Sequence, residues 1–203
     1  MAYLFKIKLE GIKKPPVWRR VIVPEDITFE RFHMIIQAAF GWMDCHLYKF
    51  GDKPYHGSLE IKGTEETDDD TVGFDAELYA ALGICPRKTM RADETKLADI
   101  FGKGTKKLTY LYDFGDDWVH TITLEDTVEN IGDHAVCTAG KGACPPEDCG
   151  GPYGYENLKQ MFAEKPDSKE TDEQRRWLGL DADECFDAKY FDLEETNEML
   201  KEV

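Results

Sequence analysis

The stretch Leu108-Thr109-Tyr110-Leu111-Tyr112-Asp113-Phe114-Gly115-Asp116-Asp117-Trp118-Val119-His120-Thr121-Ile122-Thr123-Leu124 is two apolar alternations interrupted by a short acidic turn. Leu108, Tyr110, Tyr112 and Phe114 fall on one side of the first run, and Trp118, His120, Ile122 and Leu124 on one side of the second. A period of two is that of a half-buried strand. Gly115-Asp116-Asp117 supplies the turn residues, so the stretch predicts an antiparallel hairpin whose register is set by its two apolar faces. The same alternation turns His120 inward.

Upstream, Tyr3, Phe5, Ile7 and Leu9 alternate with polar neighbours and Trp18 to Val23 is β-rich, so two more strands are expected, joined through Gly11 to Pro16. Thr28 fits an N-cap for a helix carrying Phe29, Phe32, Ile35, Ile36, Ala39 and Phe40 at offsets of three and four, and Gly41 stops it. His46, Tyr48 and Phe50 mark a short strand. Residues 51–75 read as a mobile loop, most acidic near 63–72. Short helices are expected over Ala76 to Leu82 and Thr95 to Phe101.

Downstream, residues 126–154 lack periodicity and are rich in Gly and Pro, which predicts a long ordered loop holding Cys137, Cys144 and Cys149. Tyr155 to Phe162 and Lys169 to Leu178 read as helices, and Asp192 with Glu195 forms a capping-box pattern ahead of a last helix through Leu200. No linker divides the chain. The expectation is a single α+β domain over 1–203, mainly antiparallel sheet packed with helices.

With 41 acidic against 25 basic residues the net charge is −16, a field that repels phosphate backbones and argues against direct nucleic-acid binding. No apolar run spans a bilayer and the N-terminus lacks a signal-peptide core, so a cytoplasmic protein is expected, its six cysteines reduced or metal-bound. Phosphate-cradling loops and nucleophile elbows are absent from the sequence.

Three groups carry candidate chemistry. Cys137, Cys144 and Cys149, with His120 or His134, offer zinc its preferred thiolate and imidazole donors, though at irregular spacing; buried structural thiols are the competing reading. Asp113, Asp116, Asp117 and His120 offer an acid and base pair or a hard-metal site, with Asp116, Asp117 and His120 as the catalytic candidates. Against this, hairpin turns require Asp and Gly on structural grounds alone. Trp18 and Trp42 with Arg19-Arg20 suggest a cation and aromatic surface.

Together, Pro15-Pro16-Val17-Trp18-Arg19-Arg20, Gln37 to Trp42 followed by His46-Leu47, Tyr112 to Trp118 with His120, and Ala143 to Pro152 with Gly154-Tyr155 resemble the plasmid pRiA4b ORF-3-like family. The resemblance covers nearly the whole chain. It implies an α+β domain, an association with mobile elements, and no established activity. The family commonly has His-Leu-His where this sequence has His46-Leu47-Tyr48.

The expected function is a non-enzymatic binding or adaptor domain for a protein or small molecule. Its surface is expected to be built from Trp18, Arg19, Trp42, His46, Asp113, Trp118, Glu147, Asp148 and Tyr155. The alternative is a metal-binding protein or metal-dependent hydrolase that uses His46, the turn carboxylates, His120 and the cysteines, with zinc the first ion to consider.

Overall fold

The expected hairpin forms the centre of the sheet. In the computed structural model, which describes residues 1–63, 88–129 and 132–203, Lys107–Tyr112 (β6) pairs antiparallel with Trp118–Val128 (β7), setting Tyr110 opposite His120 and Tyr112 opposite Trp118. Tyr110, Tyr112, Trp118, His120 and Ile122 are all fully buried, as the alternation requires. Phe114 departs from its expected place: it lies beyond the end of β6 and is exposed, because the chain leaves the strand at Asp113, where φ is +55°.

β7 then pairs with Ala2–Leu9 (β1), which pairs with Trp18–Pro24 (β2), both antiparallel. On the other side β6 pairs with Tyr48–Gly51 (β3). Leu59–Lys62 (β4) pairs with β3, Lys88–Arg91 (β5) runs parallel to β4, and Val136–Lys141 (β8) closes the far edge against β2. Two of these strands, β4 and β8, lie where the sequence suggested loops, and the third, β5, lies where it suggested no element. The sheet of the described residues has eight strands in the order β5-β4-β3-β6-β7-β1-β2-β8. The rest of the acidic loop expected near 63–72, beyond Gly63, and the helix expected over 76–82 lie outside the described residues.

Phe29–Phe40 (α1) packs on one face of this sheet. Thr28 caps it by accepting the Arg31 N–H, and Gly41 closes it at φ +93°, a left-handed position that glycine takes without strain. Phe32 meets Phe5 at 5.1 Å between ring centres and Phe29 meets Phe50 at 5.0 Å, so the apolar stripe of the helix and the inner face of the sheet form one core. Leu97–Phe101 (α2) adds Phe101 to it.

Gly151–Glu164 (α3) begins four residues before the sequence signal, with Pro152 in its first turn, where a missing N–H costs nothing. Lys169–Leu178 (α4) and Leu193–Lys201 (α5) follow, the latter capped by Asp192, whose carboxylate accepts the N–H groups of Glu194 and Glu195. α5 contacts α1 and β8. Its Asn197 side chain accepts from the Cys137 N–H at 2.9 Å and donates to the Cys137 carbonyl at 3.0 Å, capping the outer edge of the sheet.

Candidate functional site

Three separate segments converge at one end of the β6–β7 hairpin. The first is the loop from α1 into β3, which carries His46. The second is the turn after β6, where Asp113 takes up its left-handed backbone conformation, its N–H bound to the Leu47 carbonyl. Its Oδ1 accepts the N–H groups of Gly115 and Asp116. This leaves Oδ2 directed toward His46, 3.7 Å from Nε2. The third segment is the Cys/Gly/Pro loop, which brings Glu147 and Asp148.

Glu147 is the most constrained of these. Its side chain is 10% exposed, and Oε1 accepts from the Tyr112 hydroxyl at 2.9 Å and the Met43 N–H at 3.0 Å. Oε2 has no hydrogen-bond partner although it is buried, and neither has His46 Nε2. These two orphaned atoms stand 3.8 Å apart, with Asp148 Oδ1 at 3.3 Å from the same nitrogen. Buried carboxylate and imidazole atoms without partners are costly and rare.

The separations have a simple chemical reading. Two ligands on one divalent ion at about 2.1 Å, spread at a tetrahedral angle, lie roughly 3.4 Å apart. His46, Asp113 and Asp148 each offer a ligand atom within 4.8 Å of the others, the one such group of His, Cys, Asp or Glu among the described residues. Glu147 is not a member of that group, but its Oε2 stands 3.8 Å from His46 Nε2, beside any ion held there. The donor set is one imidazole nitrogen and carboxylate oxygens, which suits a divalent cation such as Zn²⁺, Mn²⁺ or Fe²⁺.

A closed ring of hydrogen bonds holds the His46 loop. The Asp44 N–H donates to Gln37 Oε1 (3.0 Å), Gln37 Nε2 donates to the Tyr110 hydroxyl (2.9 Å), that hydroxyl lies 2.7 Å from His33 Nδ1, and His33 Nε2 lies 2.6 Å from Asp44 Oδ1. The direction of the first two bonds fixes the rest: Tyr110 donates to Nδ1, and His33 Nε2–H donates to the Asp44 carboxylate. Burial pulls the His33 pKa down, with Asp44 opposing, so the ring is satisfied by a neutral imidazole, stacked flat on Tyr48 at 3.5 Å. His33 and Gln37 are one helical turn apart on α1, so the helix sets the position of Asp44, two residues before His46. Nothing in the sequence patterning singled out His33 or Asp44; a buried His and Gln at i and i+4 on the apolar helix was the available signal.

The remaining candidates lie elsewhere. His120 is fully buried, perpendicular to Phe40 and Trp42 with ring centres at 5.0 and 5.2 Å, and has no partner on either nitrogen. Burial drives its pKa down to about 3, against the pull of the Tyr110 and Trp118 backbone. It is a neutral core imidazole, away from the turn carboxylates. Asp116 Oδ2 accepts the Gly150 N–H at 3.0 Å and Asp117 Oδ1 accepts the Tyr55 hydroxyl, so both tie loops together. A Cβ on Gly151 would come within 2.5 Å of the Asp116 carbonyl, which is why that loop carries glycine there.

The cysteines do not assemble with His120. Cys137, Cys144 and Cys149 are free, burial raises all three thiol pKa values, Cys149 to about 12, and none of them belongs to a group of three or more ligand side chains among the described residues. Nor do the aromatic and cationic residues make a surface. Arg19, Trp42, Trp118 and Tyr155 are all buried. Arg19 donates to the carbonyls of Trp18, Ala39, Lys141 and Gly142 and lies over the Phe40 and Phe191 rings. Trp42 Nε1 and the Tyr155 hydroxyl donate to the Pro145 and Ala143 carbonyls. Expected on a surface, Arg19, Trp42 and Tyr155 instead anchor the Cys/Gly/Pro loop to the core, and Trp118 is a core ring whose Nε1 has no partner. Trp18 remains half-buried, flanked by Lys6 and Arg20.

The family described as plasmid pRiA4b ORF-3-like protein matches residues 1–195. The chain belongs to the plasmid pRiA4b ORF-3-like family. Within reach of this pRiA4b ORF-3-like chain is the uncharacterized protein y4hQ of Sinorhizobium fredii (strain NBRC 101917 / NGR234), 34% identical over 175 residues, 86% of this chain and 79% of the relative. Among solved structures it is similar to MM3350 from Methanosarcina mazei Go1, a protein of unknown function, at a TM-score of 0.71 and 34% identity, covering 96% of this chain and 95% of the other. Among the described residues, no helix of this pRiA4b ORF-3-like protein is long and apolar enough to cross a membrane.

Proposed function

We propose that this protein binds a divalent metal ion through His46, Asp113 and Asp148, with Glu147 as the fourth donor. The observation that carries the reading is the pair of orphaned buried atoms, His46 Nε2 and Glu147 Oε2, facing each other at 3.8 Å with two further carboxylates alongside. A cation between them satisfies both. Three carboxylates and one neutral imidazole around a divalent ion leave one net negative charge, and Asp148, 74% exposed, keeps one side of the site open. An open coordination position is what separates metal sites that handle a ligand from purely structural ones.

This reading takes precedence over the adaptor surface expected from the sequence, because Arg19, Trp42, Trp118 and Tyr155 belong to the core. The second imidazole of the family's His-Leu-His is Tyr48 here, and that ring is spent stacking on His33; the carboxylates supply the donors instead.

Isothermal titration of chelator-treated protein with Zn²⁺ and Mn²⁺ tests the proposal. One ion per chain is expected for at least one of the two metals, and Asp113→Asn should weaken it tenfold or more without unfolding the protein. Stoichiometric binding that Asp113→Asn leaves unchanged, or no binding of either ion, overturns it.

A further inference from the structure

Beside the metal ligands lies a cavity of about 640 Å³, bounded by Thr28, Glu30, Arg31 and Met34 of the start of α1, by Asp44 to Leu47, and by Tyr48 and Gly63. That volume is in the range of sites for small organic ligands. His46 is at once a wall of this cavity and a member of the cation group, so the cavity and the metal site are continuous. The chemistry of the wall is uneven. Met34, Leu47 and Tyr48 provide an apolar strip. Arg31 is the wall's one cation, and its guanidinium, unlike those of Arg19, Arg20 and Arg175, has no hydrogen bond or ion pair among the described residues. Glu30 and Asp44 set carboxylates on the same wall.

We infer that the cavity receives a small molecule with a single oxyanion, a carboxylate or a phosphate, on an apolar or aromatic body. The oxyanion lies between the metal and Arg31, and the body lies along Met34, Leu47 and Tyr48. This rests on the metal reading above, because in so acidic a protein only a bound cation makes that end of the cavity attractive to an anion. Arg31 supplies a fork of donors matched to carboxylate and phosphate oxygens. Glu30 and Asp44 disfavour a second anionic group on the same ligand, which limits the charge to one end.

Titration of the metal-loaded protein with phenyl phosphate and with benzoate tests this, after the metal titration itself has been read. One equivalent of at least one probe is expected to bind, and the tighter of the two identifies the oxyanion. Removing the metal should weaken that binding at least tenfold. Arg31→Met, an exposed substitution, should weaken it about tenfold while leaving metal affinity unchanged. A protein that takes metal but neither probe overturns this inference and leaves the metal site standing; a protein that takes no metal overturns both. Equal binding by Arg31→Met removes Arg31 from the site and overturns the inference as stated.

Discussion

Glu147 and His120 are both buried side chains with unpartnered polar atoms, and the difference between them is what motivates the proposed metal site. Glu147 has one oxygen held by Tyr112 and Met43 while the other stands 3.8 Å from His46 Nε2, the nitrogen that Asp113 and Asp148 also approach. His120 is enclosed by the Phe40, Trp42 and Tyr110 rings, and burial, outweighing the Tyr110 and Trp118 backbone, lowers its pKa. The lowered pKa has a cost in acid. The folded-state pKa of about 3 lies below the 6.5 of the free side chain, so between those values the unfolded chain binds a proton that the native state refuses. The contribution of His120 is fully present above pH 6.5 and is lost as pH falls toward about 3, at up to roughly 1.4 kcal/mol per pH unit. His33 shifts in the same direction and remains in a His120 variant. Urea unfolding at pH 7.5 and 4.5 should therefore show the wild type losing roughly 2–3 kcal/mol more than His120→Phe between the two conditions; equal losses would show that His120 is charged or solvated in the native state. Inward placement of His120 was legible from alternation alone. The grouping of His46 with Asp113, Glu147 and Asp148 was not, because the residues are distant in the chain and only the pairing of β3 with β6 and the docking of the Cys/Gly/Pro loop bring them together.

At the level of elements, the sequence disclosed those with strong patterning. β1, β2, β6, β7 and α1 alternate or repeat cleanly because one face of each is buried in the common core. β4 and β5 are four residues each and β8 buries only Cys137, so none carries enough apolar periodicity to stand out from a loop; each is a strand because its neighbour's edge offers hydrogen bonds. The Cys/Gly/Pro loop owes its order to tertiary staples. Arg19 is the main one, a buried guanidinium satisfied by four carbonyls on three segments instead of by a carboxylate. Arg19→Met keeps the stem but leaves buried carbonyls of Ala39 and Gly142 unpaired, which should destabilise the fold by about 3 kcal/mol and lower the melting temperature. A melting temperature unchanged within a degree would show that water satisfies those carbonyls equally well.

For the whole molecule, the described residues form an eight-stranded sheet with α1 on one face and a hairpin end that gathers carboxylates and an imidazole from three segments, in a chain of net charge −16. The family likeness extends over residues 1–195 and goes with the architecture, while the proposed metal binding rests on the few residues around His46. The most direct test is a crystal grown with Zn²⁺ and measured on both sides of the zinc absorption edge. The anomalous map should contain one strong peak about 2.0–2.2 Å from His46 Nε2, Asp113 Oδ2 and Asp148 Oδ1. A map with no peak there, or with its peak at Cys137, Cys144 or Cys149 instead, would contradict the proposed centre.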